Sequence, residues 1–200
     1  MESQQAELEL TYIKRVIESS RKSLVEKGVG YIFWGVLVVI GIGLQYSKFF
    51  FKIPLLHGYE WFVIIGFGWL VTFFLYKRKR GYKNSTSFGQ QILSTLWIGA
   101  GIGLGIVGFI GSMSGTLPGL AITPVMSVIL GVAYFASGKI YETKWMYFIG
   151  LGWWTGGIVL FFWHSIHTLA LFGIMMILFQ VIPGLYFYNK WKKEYKVKVQ

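Results

Sequence analysis

The chain contains no cysteine and no aspartate. Without cysteine there is no disulfide, no thiol nucleophile and no thiolate metal ligand. Its acids are eight glutamates, five of them within the first 26 residues. The other three, Glu60, Glu142 and Glu194, stand outside or at the edges of the long apolar runs. Proton or cation coupling through a membrane-buried carboxylate is therefore not expected. No carboxylate pair and no Ser–His arrangement in a recognisable setting occurs, so neither a catalytic site nor a cofactor is expected. Charged residues are scarce as well, at 14%, against about 25% in an ordinary soluble domain.

What the chain has in abundance is apolar surface. Hydrophobic residues make up 54% and aromatic residues 19% of its 200 residues. A soluble domain of this size has too little interior for that load. A bilayer supplies the missing apolar surroundings. Six continuous apolar runs, near Tyr31–Phe50, Tyr59–Tyr76, Gln91–Gly111, Pro118–Ser137, Trp145–Trp163 and Thr168–Tyr188, have the length of a membrane-crossing helix. They do not alternate, and they are twice as long as barrel strands. Backbone groups in lipid must pair within their own segment, which leaves helices. The sequence thus predicts an all-α membrane protein, a bundle of six transmembrane helices over residues 29–189. A cytoplasmic amphipathic helix precedes it in residues 1–28, and a basic tail follows in residues 190–200.

The net charge is +11, carried by 19 lysines and arginines. With the N-terminus inside and six alternating spans, every basic residue except Lys48 and Lys52 falls on the cytoplasmic side. That is the positive-inside pattern, and it places both termini in the cytoplasm. It also reads the basic clusters as membrane-facing, so no nucleic-acid partner is expected. The run Lys77, Arg78, Lys79, Arg80 is expected to meet anionic lipid headgroups. Tyr31, Trp34, Tyr59, Trp61, Tyr76, Trp145, Trp163, Tyr186, Tyr188 and Trp191 are expected near the two interfaces. About 28 mixed-charge residues precede the first apolar run, which does not fit a cleaved signal peptide.

Within residues 7–27, Leu10, Ile13, Ile17 and Leu24 form one apolar stripe near helical spacing, with oppositely charged i, i+4 pairs alongside. Such a helix suits the inner leaflet, or a cytoplasmic protein partner. Gly28 and Gly30 are placed to hinge it against the membrane. The pattern Ile13, Lys14, Arg15, Val16, Ile17, Glu18, Ser19, Ser20, Arg21, Lys22, Ser23, Leu24, followed by Gly30, Tyr31, Ile32, Phe33, Trp34, Gly35, resembles the start of a group of uncharacterised small polytopic bacterial membrane proteins. There an amphipathic helix leads into a first span that opens near a Trp-Gly pair. The resemblance covers the first quarter of the chain. It implies a bacterial inner membrane and lends no activity and no site residues.

Three further patterns bear on function. Gly101, Gly105, Gly108 and Ser112 recur at i, i+4, i+7, i+11, which predicts a small-residue face for close helix packing, within the chain or between copies. Trp61, Gly66, Gly68 and Trp69 match Trp145, Gly150, Gly152 and Trp153 at an offset of 84 residues. Two three-span halves of opposite orientation are the inverted-repeat plan of several transporters. Finally, His57 with Glu60, and His164 with His167, stand at i, i+3 spacing on the expected outer face. Imidazole and carboxylate suit Zn²⁺ or Cu²⁺, although interfacial histidine is the plainer reading. Three functions follow in order of preference. The first is a non-catalytic component that assembles with itself or a partner. The second is a small transporter or channel for a neutral or apolar solute, and the third an outer-face metal-binding protein.

Overall fold

In the computed structural model, the described residues are 28–51, 60–80, 88–163 and 165–199. Residues 7–27 and the histidines His57 and His164 lie outside them. Six helical rods make up the described residues. They are α1 (Val29–Phe51), α2 (Glu60–Arg80), α3 (Phe88–Gly105, continued by a π-helical stretch Ile106–Gly111), α4 (Gly119–Ile140) and α5 (Lys144–Phe162); the last is α6 (His167–Met176), which runs through a π-turn at Ile177–Val181 into α7 (Ile182–Val199). Each apolar run of the sequence falls on one rod. Five stretches are long and apolar enough to cross a membrane: Val29–Phe51, Gly89–Gly111, Gly119–Ile140, Lys144–Phe162 and His167–Lys193. The apolar part of α2, Glu60–Leu75, is shorter.

The outside of the bundle is as oily as its inside. Phe148 and Phe162 are 71% and 82% exposed, and Phe73, Phe74 and Ile110 also point outward. In water such a surface would drive aggregation. In a bilayer it is the side that meets acyl chains, and the fold is that of a multi-pass membrane protein.

With apolar surface on both sides, helix pairing depends on how closely the backbones can approach. The most extensive pairing joins α4 to α5. The two helices are linked by a tight turn in which Glu142 takes a left-handed φ of 49°. Its N–H donates to the Lys139 carbonyl at 3.2 Å, and the Thr143 N–H donates to the Gly138 carbonyl at 3.0 Å. These two bonds close the end of α4 as a Schellman motif. Beyond the turn, a Cβ added at Gly150 would stand 2.9 Å from the Phe135 amide nitrogen and 3.0 Å from the Gly131 carbonyl oxygen. One at Gly157 would lie 3.1 Å from Ser127 Cβ, and one at Gly138 3.2 Å from Tyr147. Glycine is what allows the two backbones to touch.

Elsewhere glycine accepts an aromatic ring. The Trp61 ring lies on Gly41, the Trp34 ring on Gly68 and the Phe179 ring on Gly152. The first two contacts interlock α1 and α2 in both directions. At the start of α1, Gly28 (φ 63°) sits on the Gly184 carbonyl of α7. A side chain at Gly28 would thus run into α7, while a Cβ at Gly30 would meet nothing within 4 Å. Pro183 stands two residues past the end of the π-turn, after Ile182. Its missing N–H and its ring exclude a regular helical bond to the Phe179 carbonyl, and a widened turn absorbs that defect.

Candidate functional site: a buried aromatic centre at one end of the bundle

The end of the bundle where α1 begins, α4 ends and α5 begins holds one group of buried polar and aromatic side chains. Tyr134 of α4 is fully buried, and its hydroxyl donates to Gln180 Oε1 at 2.9 Å. The π-turn carries Gln180 into the interior, with 5% of its surface exposed. π-turns are frequent at functional positions. Interhelical hydrogen bonds of this kind contribute roughly 0.6 kcal/mol in membranes, and about 1.7 at most.

Rings surround this pair. Tyr31 of α1 and Trp97 of α3 meet edge to face at 5.1 Å, and Trp97 meets Tyr134 in the same way at 5.2 Å. Trp153 of α5 stacks on Tyr134 at 6.5 Å. Phe187 of α7 closes the group against Tyr31 at 5.9 Å. Such pairs add about 0.5–1.5 kcal/mol each beyond the area they bury. The indole N–H groups of Trp97 and Trp153 are buried and have no hydrogen-bond partner among the described residues. Tyr31 is a core residue, 6% exposed, because rings from α3, α4 and α7 converge on it. The centre holds hydrogen-bond donors and rings, and no charged side chain is among the contacts that define it.

The opposite end carries a second set of polar ties. Lys48 Nζ of α1 lies 3.0 Å from Glu60 Oε1 at the head of α2, where Glu60 is buried. Trp61 Nε1 donates to Gln45 Oε1 at 2.7 Å. The Tyr46 hydroxyl and His167 Nδ1 stand 2.7 Å apart. Three α1 side chains thus fasten α2 and α6. Of the four residues proposed from sequence as metal ligands, Glu60 and His167 are described, and each is engaged by an α1 partner. His57 and His164 are outside the described residues. Among the described residues no group of three or more His, Cys, Asp or Glu is placed to hold a metal ion.

The glycine face of α3 divides. A Cβ at Gly101 would be 3.5 Å from the Trp69 ring, and one at Gly108 would be 2.7 Å from Met126 Cε, so both face the bundle. A Cβ at Gly105 would meet nothing within 4 Å, and Ser112 is exposed. A backbone-to-backbone seam lies between α4 and α5. Its signal was present as two seven-residue intervals, Gly131 to Gly138 and Gly150 to Gly157. The 84-residue match does not extend to environment. Gly66 is open where Gly150 touches backbone, and Trp69 is 41% exposed where Trp153 is fully buried. The basic run Lys77, Arg78, Lys79, Arg80 forms the end of α2, with Lys77 exposed. The chain matches no protein-family model, no curated protein and no solved structure.

Proposed function

We propose that the chain is a six-span protein of the bacterial inner membrane with both ends in the cytoplasm. In this reading it acts without catalysis, as an assembly component that joins copies of itself or another membrane protein. The sixth span is α2. Its apolar part rises about 24 Å, short of a hydrocarbon core of about 30 Å. Local thinning of the bilayer, with Lys77 reaching toward the headgroups, closes the difference.

The observation that carries the reading is the surface of α3. Only 6% of its apolar window is buried within the chain, against 28% to 44% for the other four long helices. Ile98, Ile102, Ile106 and Ile110 form an outward ridge at i, i+4 steps. Beside it, a Cβ at Gly99 or Gly105 would meet nothing within 4 Å. A ridge flanked by glycine gaps is the relief into which a second helix packs closely.

Light scattering in mild detergent tests this directly. The 22.8 kDa chain is expected to run as a dimer or larger assembly. A Gly99→Leu, Gly105→Leu variant is expected to become monomeric with its helix content unchanged. A wild-type chain that is strictly monomeric, with no partner recovered by cross-linking in membranes, contradicts the proposal.

A further inference from the structure

The two ends of the bundle differ in charge balance. At one, Lys48 is matched by Glu60. At the other, Lys77, Lys139, Lys144, Lys190, Lys192 and Lys193 face outward, and Glu142 is the acid among the described side chains there. Three of these lysines flank the line along which α5 and α7 meet. Lys144 opens α5, and the next residue, Trp145, meets Tyr186 of α7 edge to face at 5.3 Å and Phe187 at 5.2 Å. Lys190 and Lys193 follow Tyr186 at i+4 and i+7, on the same face of α7. Deeper along the same two rods, Phe148 and Leu151 of α5 are exposed, as are Ile182 of α7 and Leu178 of the π-turn. Between the rods, the Phe179 ring rests on Gly152, 2.7 Å from where its Cβ would stand.

From the basic end inward, this line therefore offers cations from two helices, then a Trp–Tyr pair suited to the headgroup level, then apolar side chains. That order matches an acidic phospholipid: phosphate, glycerol, acyl chain. Basic pockets between membrane helices on the cytoplasmic side hold such headgroups. We propose that the line where α5 and α7 meet is a binding site for an acidic phospholipid. Lys144 holds the headgroup phosphate from one side, Lys190 and Lys193 hold it from the other, and the acyl chains lie along Phe148 and Ile182. The site is distinct from the basic run at the end of α2. It rests on the reading of the chain as a membrane protein whose basic end meets the inner leaflet.

The test uses the full chain purified in mild detergent, with native mass spectrometry of bound lipid. The probes are phosphatidylglycerol, a diphosphatidylglycerol lipid and phosphatidylcholine. Acidic lipid is expected to be retained in preference to phosphatidylcholine, with the two-phosphate lipid retained best. The triple variant Lys144→Gln, Lys190→Gln, Lys193→Gln is expected to lose retention by about tenfold or more. The control Lys139→Gln, Lys192→Gln, at two exposed lysines outside the site, is expected to keep it, and both variants are expected to keep the wild-type unfolding temperature. Excess inorganic phosphate is expected to leave the lipid in place. Equal retention of phosphatidylcholine, full retention by the triple variant, or displacement by phosphate would each overturn the proposal. Span count and orientation are read independently by labelling, so a failed lipid assay and a failed topology are told apart.

Discussion

Gly150→Leu is expected to destabilise the protein by about 3 kcal/mol or more, while Gly66→Leu, at the position the 84-residue match pairs with it, changes stability little. The difference comes from what a side chain would meet. At Gly150 the neighbours are the Phe135 amide and the Gly131 carbonyl, both backbone within 3.0 Å of the added Cβ. Neither can move without parting α4 from α5 along their length. Overpacking a core costs about 1–3 kcal/mol when side chains can adjust, and more when they cannot. At Gly66 an added Cβ meets nothing within 4 Å, and leucine is at home in lipid. Thermal unfolding in detergent, followed by helical ellipticity, measures both. Equal losses at the two positions would mean that they share an environment, and an inverted repeat would then account for the match.

Trp153→Ala is the second substitution with a large expected effect, about 3–5 kcal/mol for deleting a fully buried indole. The ring lies 5.7 Å from Phe172 and 5.8 Å from Phe179, and it stacks on Tyr134. It joins α5 to α4 and to the α6–α7 rod. Trp153→Phe separates packing from hydrogen bonding. The indole N–H has no partner among the described residues, and removing an unpaired buried donor is close to neutral. The phenylalanine variant should therefore lose only the smaller ring's share of contact, about 1–2 kcal/mol. If both variants lose the same amount in detergent unfolding, the indole N–H is bonded and the account of this centre is wrong.

Helix placement could be read from the sequence because lipid leaves the backbone little choice. A long unbroken apolar run must satisfy its own N–H and C=O groups, and each of the six runs is a helix. Helix facing was much harder to read. In a soluble helix the buried face differs in polarity from the exposed one. Here Ile98 and Leu93 on α3 differ in burial but not in chemistry. The densest glycine run, in α3, drew attention first, and there Gly101 and Gly108 face the bundle while Gly105 is open. The seam that does bring backbones together uses glycines spread thinly over α4 and α5. Tyr31 stood near a run's end, and nothing local showed that rings from three other helices cover it. Gln180 is a polar residue inside an apolar run, and its partner Tyr134, 46 residues earlier, has no local signature.

Because the chain has no cysteine, topology can be read one cysteine at a time on an otherwise silent background. Single substitutions Ser85→Cys, Ser114→Cys, Glu142→Cys and Ser165→Cys would be treated with a membrane-impermeant maleimide, in intact cells and again after permeabilisation. The six-span account predicts that Ser114→Cys and Ser165→Cys react in intact cells, and that Ser85→Cys and Glu142→Cys react only once the membrane is opened. Reaction of Ser85→Cys from outside, or Ser114→Cys and Glu142→Cys reacting from one side, would contradict it.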